Sequence, residues 1–347
     1  MKAYVPAIRN EEELEDFMSA PSDRVVERIK AVKGDIVVLG VAGKVGVTLA
    51  MMLAKAAKRA GTKSAVYGVS RFSDPKAKER LATFGVRPLG VDLLDPAQVA
   101  ALPDSENVFF LAGKKFGTIG AQDLTWATNT IAPANAAQRY KGARIVAYST
   151  GCVYDFKTAA SGGALELEDP NPTGEYAQST LGRERVFEYY SRKDGTKVCQ
   201  FRLNYAVDLR YGVLRDIADR VLEGKPVDLS VGSLNCIWQG DVLERTILSL
   251  DLCESPARAI NITGPETVSI RWLAEEFGRR FGKAPVFSGN ERADSKAYLA
   301  NAAASFAFFG YPSLSLWTMI DMTAAWVASG GPSLGKPTHF EQTDGKF

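Results

Sequence analysis

Three glycines, Gly40, Gly43 and Gly46, stand three residues apart where a short apolar run, Ile36-Val37-Val38-Leu39, gives way to an Ala/Leu/Met-rich stretch over residues 47–60. That order of residue types suits one kind of chemistry, the binding of a diphosphate by backbone amides. Gly40 permits a tight turn out of the strand. Gly43 lets the backbone approach a pyrophosphate closely. Gly46 lets the helix lie near the strand, and the helix N-terminus directs amide donors and the positive end of its dipole at the phosphates. Lys44 and Val45 lie inside the turn, and Lys44 adds charge there. The spacing is G-x-x-G-x-x-G rather than the commoner G-x-G-x-x-G, so the strand–turn–helix context carries the reading.

A second set of residues bears on the rest of a dinucleotide. Tyr67-Gly68-Val69-Ser70-Arg71 closes a second strand. An acid at such a strand end holds the ribose 2′-hydroxyl of NAD, whereas a basic residue accommodates the 2′-phosphate of NADP. No acid stands at Ser70 or Arg71, and a guanidinium forks onto phosphate. NADP is therefore preferred to NAD, although stacking of Arg71 on adenine would suit NAD. Asp92 and Leu93 follow a third strand, with Asp92 placed to bond the adenine amino group. Ala112 and Gly113, after a fourth, are small enough for backbone to run beside a cofactor. The adjacent Lys114 and Lys115 read either as a solvated loop or as a cation directed into the cleft.

The elements that must position these residues alternate. Strands are expected at 64–69, 86–91, 107–111, 143–149 and 197–204, with helices between, the longest over 123–140, and another over 175–192. Apolar strands alternating with helices predict an α/β fold, a Rossmann-type doubly wound parallel sheet covered on both faces. After about residue 205 the rhythm loosens into a smaller C-terminal substrate lobe. The expected organisation is a helical extension (1–33), a dinucleotide-binding domain (34–205), a mainly substrate-binding lobe (206–330) and a polar tail (331–347). The extension reads as packed on the core. The tail holds the only histidine, His339, which reads as solvent-exposed rather than catalytic.

The chain has 347 residues, of which 46% are hydrophobic and 24% charged, enough for an ordinary buried core. A net charge of +2 gives no reason to expect nucleic acid or an anionic membrane surface as a partner. The N-terminus lacks the apolar stretch of a signal peptide, and the four scattered cysteines read as reduced thiols, so a cytoplasmic location is expected.

Two further runs bring a family into view. One is Ser149-Thr150-Gly151-Cys152-Val153-Tyr154 at the end of the fifth strand. The other is Gly174-Glu175-Tyr176-Ala177-Gln178-Ser179-Thr180, where Tyr176 opens a helix. Together with the glycine turn, Arg202-Leu203-Asn204, and weaker echoes at 237–242 and 261–270, they resemble the extended short-chain dehydrogenase/reductase family, the NAD-dependent epimerase/dehydratase group, over roughly residues 34 to 328. The resemblance implies that Tyr176 is the acid/base for a sugar carbinol and that Thr150 orients the same oxygen. It also implies a lysine four residues after the tyrosine, which binds the nicotinamide ribose and lowers the phenol pKa. That position is Thr180 here. Gln178 and Thr180 can offer hydrogen bonds but no charge, and Lys114, Lys115 or Arg183 are the candidates to replace the ammonium. Gly151-Cys152 stands where the family's dehydratases carry an Asp-Glu pair. Cys236 stands where its nucleotide-sugar enzymes tend to carry a diphosphate-binding arginine. The expected activity is thus an NAD(P)-dependent oxidoreductase or epimerase acting on a small carbohydrate, a sugar, sugar acid or polyol, with a homodimer expected by analogy. The alternative is a catalytically impaired dinucleotide-binding protein with a sensor or scaffold role.

Overall fold

The computed structural model describes residues 7–115, 117 and 119–345. Residues 1–6, read above for a leader, lie outside the described residues, as do Phe116, Thr118 and the last two residues of the tail.

A strand apolar at every position needs cover on both faces. Ile36, Val37, Val38 and Leu39 of β1 (Ile36–Leu39) are all fully buried. Beside it run β2 (Val66–Ser70), β3 (Arg87–Gly90), β4 (Asn107–Phe110) and β5 (Arg144–Thr150), followed by strands Lys197–Leu203 and Arg258–Ile262. Among the described residues these seven form one sheet. Its order is Arg258–Ile262, Lys197–Leu203, β5, β4, β1, β2, β3, and every neighbouring pair is parallel. The order reverses at β1, which pairs Leu39 with Val69 on one side and with Phe110 on the other. Such a reversal opens a crevice above the carboxyl ends of the strands, where ligands bind in folds of this kind. This is the doubly wound sheet the alternating pattern predicts.

One helix differs from its expected form. The apolar pattern over 123–140 predicts a continuous helix. The structure breaks it into Gln122–Trp126, a π-helical turn at Ala127–Ile131, and Ala132–Arg139. A π turn widens the helix by one residue and recurs at functional sites. Here Asn129, the middle residue of the turn, is fully buried.

Beyond Leu203 the chain builds a helical lobe in which Val213–Glu223, Ile270–Phe281 and Leu316–Ala328 pack against one another. It also returns to the main sheet through Arg258–Ile262. The N-terminal helices Glu11–Met18 and Asp23–Lys30 bury Leu14, Met18, Val25 and Ile29 in the same core as the glycine-turn helix, Gly46–Ala60. The tail folds back rather than trailing into solvent. Thr338 and Phe340 are buried, Glu341 pairs with Arg220 at 3.0 Å, and Gly345 packs against Thr173 and Gly174. His339, between two buried neighbours, is half-buried rather than solvent-exposed. Among the described residues no helix is long and apolar enough to cross a membrane.

Candidate active site

Each glycine of the turn has a distinct steric reason. Gly40 has φ +85°, and a Cβ there would lie 2.5 Å from the Ala112 amide nitrogen, so the loop leaving β4 passes directly beside it. A Cβ on Gly46 would lie 2.4 Å from the Val41 carbonyl oxygen, which sets how closely the helix meets the strand. A Cβ on Gly43 would meet only the Gly40 carbonyl, at 3.3 Å, and would otherwise project into open space. The helix starts after Val45 with no side-chain cap. An open glycine cradle facing an uncapped helix N-terminus is what a dinucleotide diphosphate requires, so the residues fit that group.

The turn lines a cavity of about 400 Å³ that runs across the sheet to β5 and the helix Glu175–Asp194. Gly40, Gly43, Lys44, Val45, Gly46 and Gly113 form one part of the wall, and Thr150 and Tyr176 another. Ser70, Arg71, Asp92, Leu93 and Ala112 lie outside it. Arg71 is exposed at the end of β2. An Asp92 oxygen accepts the Leu94 N–H at 3.0 Å, and Leu93 is buried in the core packed on β1 and β4.

Tyr176 sits in the first turn of its helix, just past Gly174, whose φ is +85°. Thr150 ends β5, and its hydroxyl accepts the Cys152 N–H at 3.2 Å. Burial pushes the Tyr176 phenol up to about 12, helped by the nearby Cys152 thiol; hydrogen bonding with Thr150, the Arg183 charge and Thr180 pull the other way. At neutral pH this phenol is protonated.

The missing ammonium is not made good by Gln178 or Thr180. Gln178 is exposed, and the buried Thr180 hydroxyl donates to the Tyr176 carbonyl at 2.8 Å; neither lines the cavity. Of the three cationic candidates, Lys115 and Arg183 line the cavity and Lys114 does not. The Lys115 Nζ lies 5.8 Å from the Tyr176 ring centroid, and burial lowers its pKa. Arg183, two helical turns past Tyr176, donates to the Tyr148 carbonyl at 2.8 Å and to Asn129 Oδ1 at 2.6 Å; burial lowers its pKa to about 10.

Asn129 is the residue the sequence did not reveal. Its amide accepts the Lys114 N–H at 3.1 Å and donates to the Lys114 carbonyl at 3.2 Å and to Ser179 Oγ at 2.8 Å. It thereby clamps the loop that carries Lys115 and holds Arg183 behind Gly113. Also unforeseen are Tyr205, Tyr211, Tyr298 and Lys336 in the cavity wall. The Lys44 Nζ stands 3.1 Å from the Tyr211 ring centroid. Burial lowers the Lys44 pKa to about 7, against the raising effect of Asp208 and with a smaller lowering effect of Lys115. Most of the Arg202-Leu203-Asn204 and Val153-Tyr154 echoes are structural. Arg202 pairs with buried Glu184 at 2.7 Å and bonds the Tyr154 hydroxyl at 2.6 Å, while the Ser149 hydroxyl donates to Glu184. Cys236 is buried, so this position presents no charge.

No curated protein matches the chain. Among solved structures, the UDP-glucose 4-epimerase of Thermotoga maritima with UDP-glucose is 19% identical over 85% of this chain and 99% of that one, with a TM-score of 0.69. The UDP-glucose 4-epimerase of Thermus thermophilus in complex with NAD is 21% identical over 84% of this chain and 98% of that one, with a TM-score of 0.67. The UDP-glucuronic acid 4-epimerase of Bacillus cereus in complex with NAD is 18% identical over 85% of this chain and 98% of that one, with a TM-score of 0.68. Identities this low establish a shared fold. The sequence model of the NAD-dependent epimerase/dehydratase family matches residues 36–233, more than half of the chain, and with the glycine cradle and the Tyr176–Thr150 cavity above the sheet this protein belongs to that family.

Proposed function

We propose that the protein is an NAD(P)-dependent oxidoreductase or epimerase acting on a small carbohydrate, with Tyr176 exchanging the carbinol proton. The observation that carries this reading is that the Tyr176 phenol and the Thr150 hydroxyl share one cavity with the open face of Gly43. The bound dinucleotide supplies a hydride acceptor or donor. The chain's own residues do the rest. Gly43 and the amides at the head of the Gly46–Ala60 helix hold the diphosphate, with Lys44 adding charge. Thr150 orients the reacting oxygen. Tyr176, protonated at neutral pH, donates to a carbonyl oxygen in the reducing direction; the oxidising direction starts from its phenolate, the form a positive field favours, which then takes the carbinol proton. Lys115 and Arg183 supply the positive field that Thr180 lacks, which favours an enzyme over an impaired scaffold.

Arg71, exposed at the end of β2, supports NADP over NAD, with Asp92 at the adenine end. The buried, uncharged Cys236 supports a substrate without a nucleotide diphosphate.

The test combines the purified chain with NAD(H) or NADP(H) and a panel of sugars, sugar acids and polyols, following nicotinamide absorbance together with product analysis, since an internal epimerisation leaves the absorbance unchanged. Tyr176→Phe is expected to lower turnover at least ~100-fold while dinucleotide affinity holds. Full activity in that variant removes Tyr176 from the chemistry.

A further inference from the structure

The cavity carries more positive charge than the diphosphate and the Tyr176 phenol account for. Lys44, Lys115, Arg183 and Lys336 line it, and among the described residues no carboxylate does. Three of them have a role already: Lys44 belongs to the diphosphate turn, Arg183 is bonded to Tyr148 and Asn129 behind Gly113, and Lys115, from the loop after β4, stands over the Tyr176 ring. Lys336 enters from the returning tail.

Lys336 has no hydrogen bond or ion pair among the described residues, yet the backbone on either side of it is pinned. The Leu334 N–H donates to the Arg210 carbonyl at 3.0 Å, and Thr338 donates to Asp216 through its N–H at 2.8 Å and its hydroxyl at 2.6 Å. Asp216 is thus engaged by the tail and is not part of the cavity wall. Asp344, farther along the tail, lies near Tyr298 but does not line the cavity either. A second observation points the same way. Tyr298 lines this wall, and its hydroxyl is buried with no hydrogen-bond partner among the described residues. Buried polar groups are nearly always satisfied, and the hydroxyl of this cavity-lining residue is left to bond what enters the cavity, such as a ligand hydroxyl or carboxylate.

We infer that the substrate is a small polyhydroxy acid, and that Lys336 of the C-terminal tail takes its carboxylate while Tyr298 bonds a hydroxyl or carboxylate oxygen. This rests on the function proposed above and narrows it from carbohydrates in general to sugar acids. Charge-assisted hydrogen bonds are the strong ones, and they strengthen as water leaves the site. The tail is then a wall of the substrate site rather than an appendage.

The test is calorimetric, on the full chain loaded with dinucleotide. Four- to six-carbon aldonates are titrated against the matched neutral alditols, in the wild type and in Lys336→Gln. At least one aldonate is expected to bind tenfold or more tightly than its alditol, and Lys336→Gln is expected to erase that preference while dinucleotide affinity holds. Because the Lys336 side chain is exposed and unpaired, the variant is expected to fold, which thermal melting checks. The inference is overturned if alditols bind as well as aldonates, if no member of either series binds, or if Lys336→Gln keeps the aldonate preference. A wild-type chain that binds neither dinucleotide would instead sink the underlying reading, and the inference with it.

Discussion

Asn129 Oδ1 accepts a hydrogen bond from the Arg183 guanidinium at 2.6 Å, joining a π-helical turn to the helix that begins at Glu175. The same amide group holds both backbone atoms of Lys114 and the Ser179 hydroxyl. One side chain therefore sets the position of both cations near the phenol. Asn129→Ala leaves several buried polar groups unpaired, each costing about 1–3 kcal/mol. Urea denaturation is expected to show a loss of roughly 3 kcal/mol, with turnover falling more than dinucleotide affinity. Unchanged stability and turnover would remove Asn129 from its central place.

Gly43 and Gly46 separate ligand binding from folding. A methyl group at Gly46 collides with the Val41 carbonyl and should cost about 1–3 kcal/mol of stability. A methyl group at Gly43 meets the protein only at 3.3 Å and projects into the cradle. Gly43→Ala is therefore expected to melt within a few degrees of the wild type while binding NADP and NAD at least ~10-fold more weakly. Equal dinucleotide affinity in Gly43→Ala would place the diphosphate elsewhere.

Lys44 is expected to make dinucleotide binding pH-dependent. Its pKa is lowered to about 7, chiefly by burial, so it loses its proton as pH rises through neutrality. A diphosphate favours the charged ammonium and raises that pKa in the complex. Binding then takes up a proton above pH 7, and affinity falls as pH climbs until the raised pKa is passed. Calorimetry in buffers of different ionisation enthalpy measures this uptake, and Lys44→Met is expected to abolish it.

Glu184 and Arg202 form a buried pair beneath the site, bonded to Ser149 and Tyr154. Removing one member of such a pair strands the other charge, at a cost of about 3–5 kcal/mol. Glu184→Leu is expected to lower the unfolding midpoint strongly while dinucleotide affinity per folded molecule is retained. A neutral effect on stability would show that the network is dispensable.

The glycine turn was legible in the sequence because each of its constraints is local: a positive φ, a close strand, an open face. The parallel, doubly wound sheet followed from the alternation of apolar runs and helices. Asn129 was not legible, because a π turn leaves the apolar pattern over 123–140 intact and is defined by bonds to Lys114, Ser179 and Arg183, far off in sequence. Thr180 could be seen to lack charge. That Arg183, one helical turn beyond Thr180, and Lys115, from another loop, approach the phenol depends on tertiary packing. The docking of the polar tail was not legible because its anchors, Thr338 to Asp216 and Glu341 to Arg220, join segments distant in sequence.

The central claim is that this chain holds a nicotinamide dinucleotide within reach of the Tyr176 proton. Titration of NADP(H) and NAD(H) into the purified protein, followed by calorimetry, tests it most directly. The expected result is saturable one-to-one binding, with NADP the tighter ligand, retained in Tyr176→Phe and weakened in Gly43→Ala. Absence of binding for both dinucleotides in either redox state would contradict it.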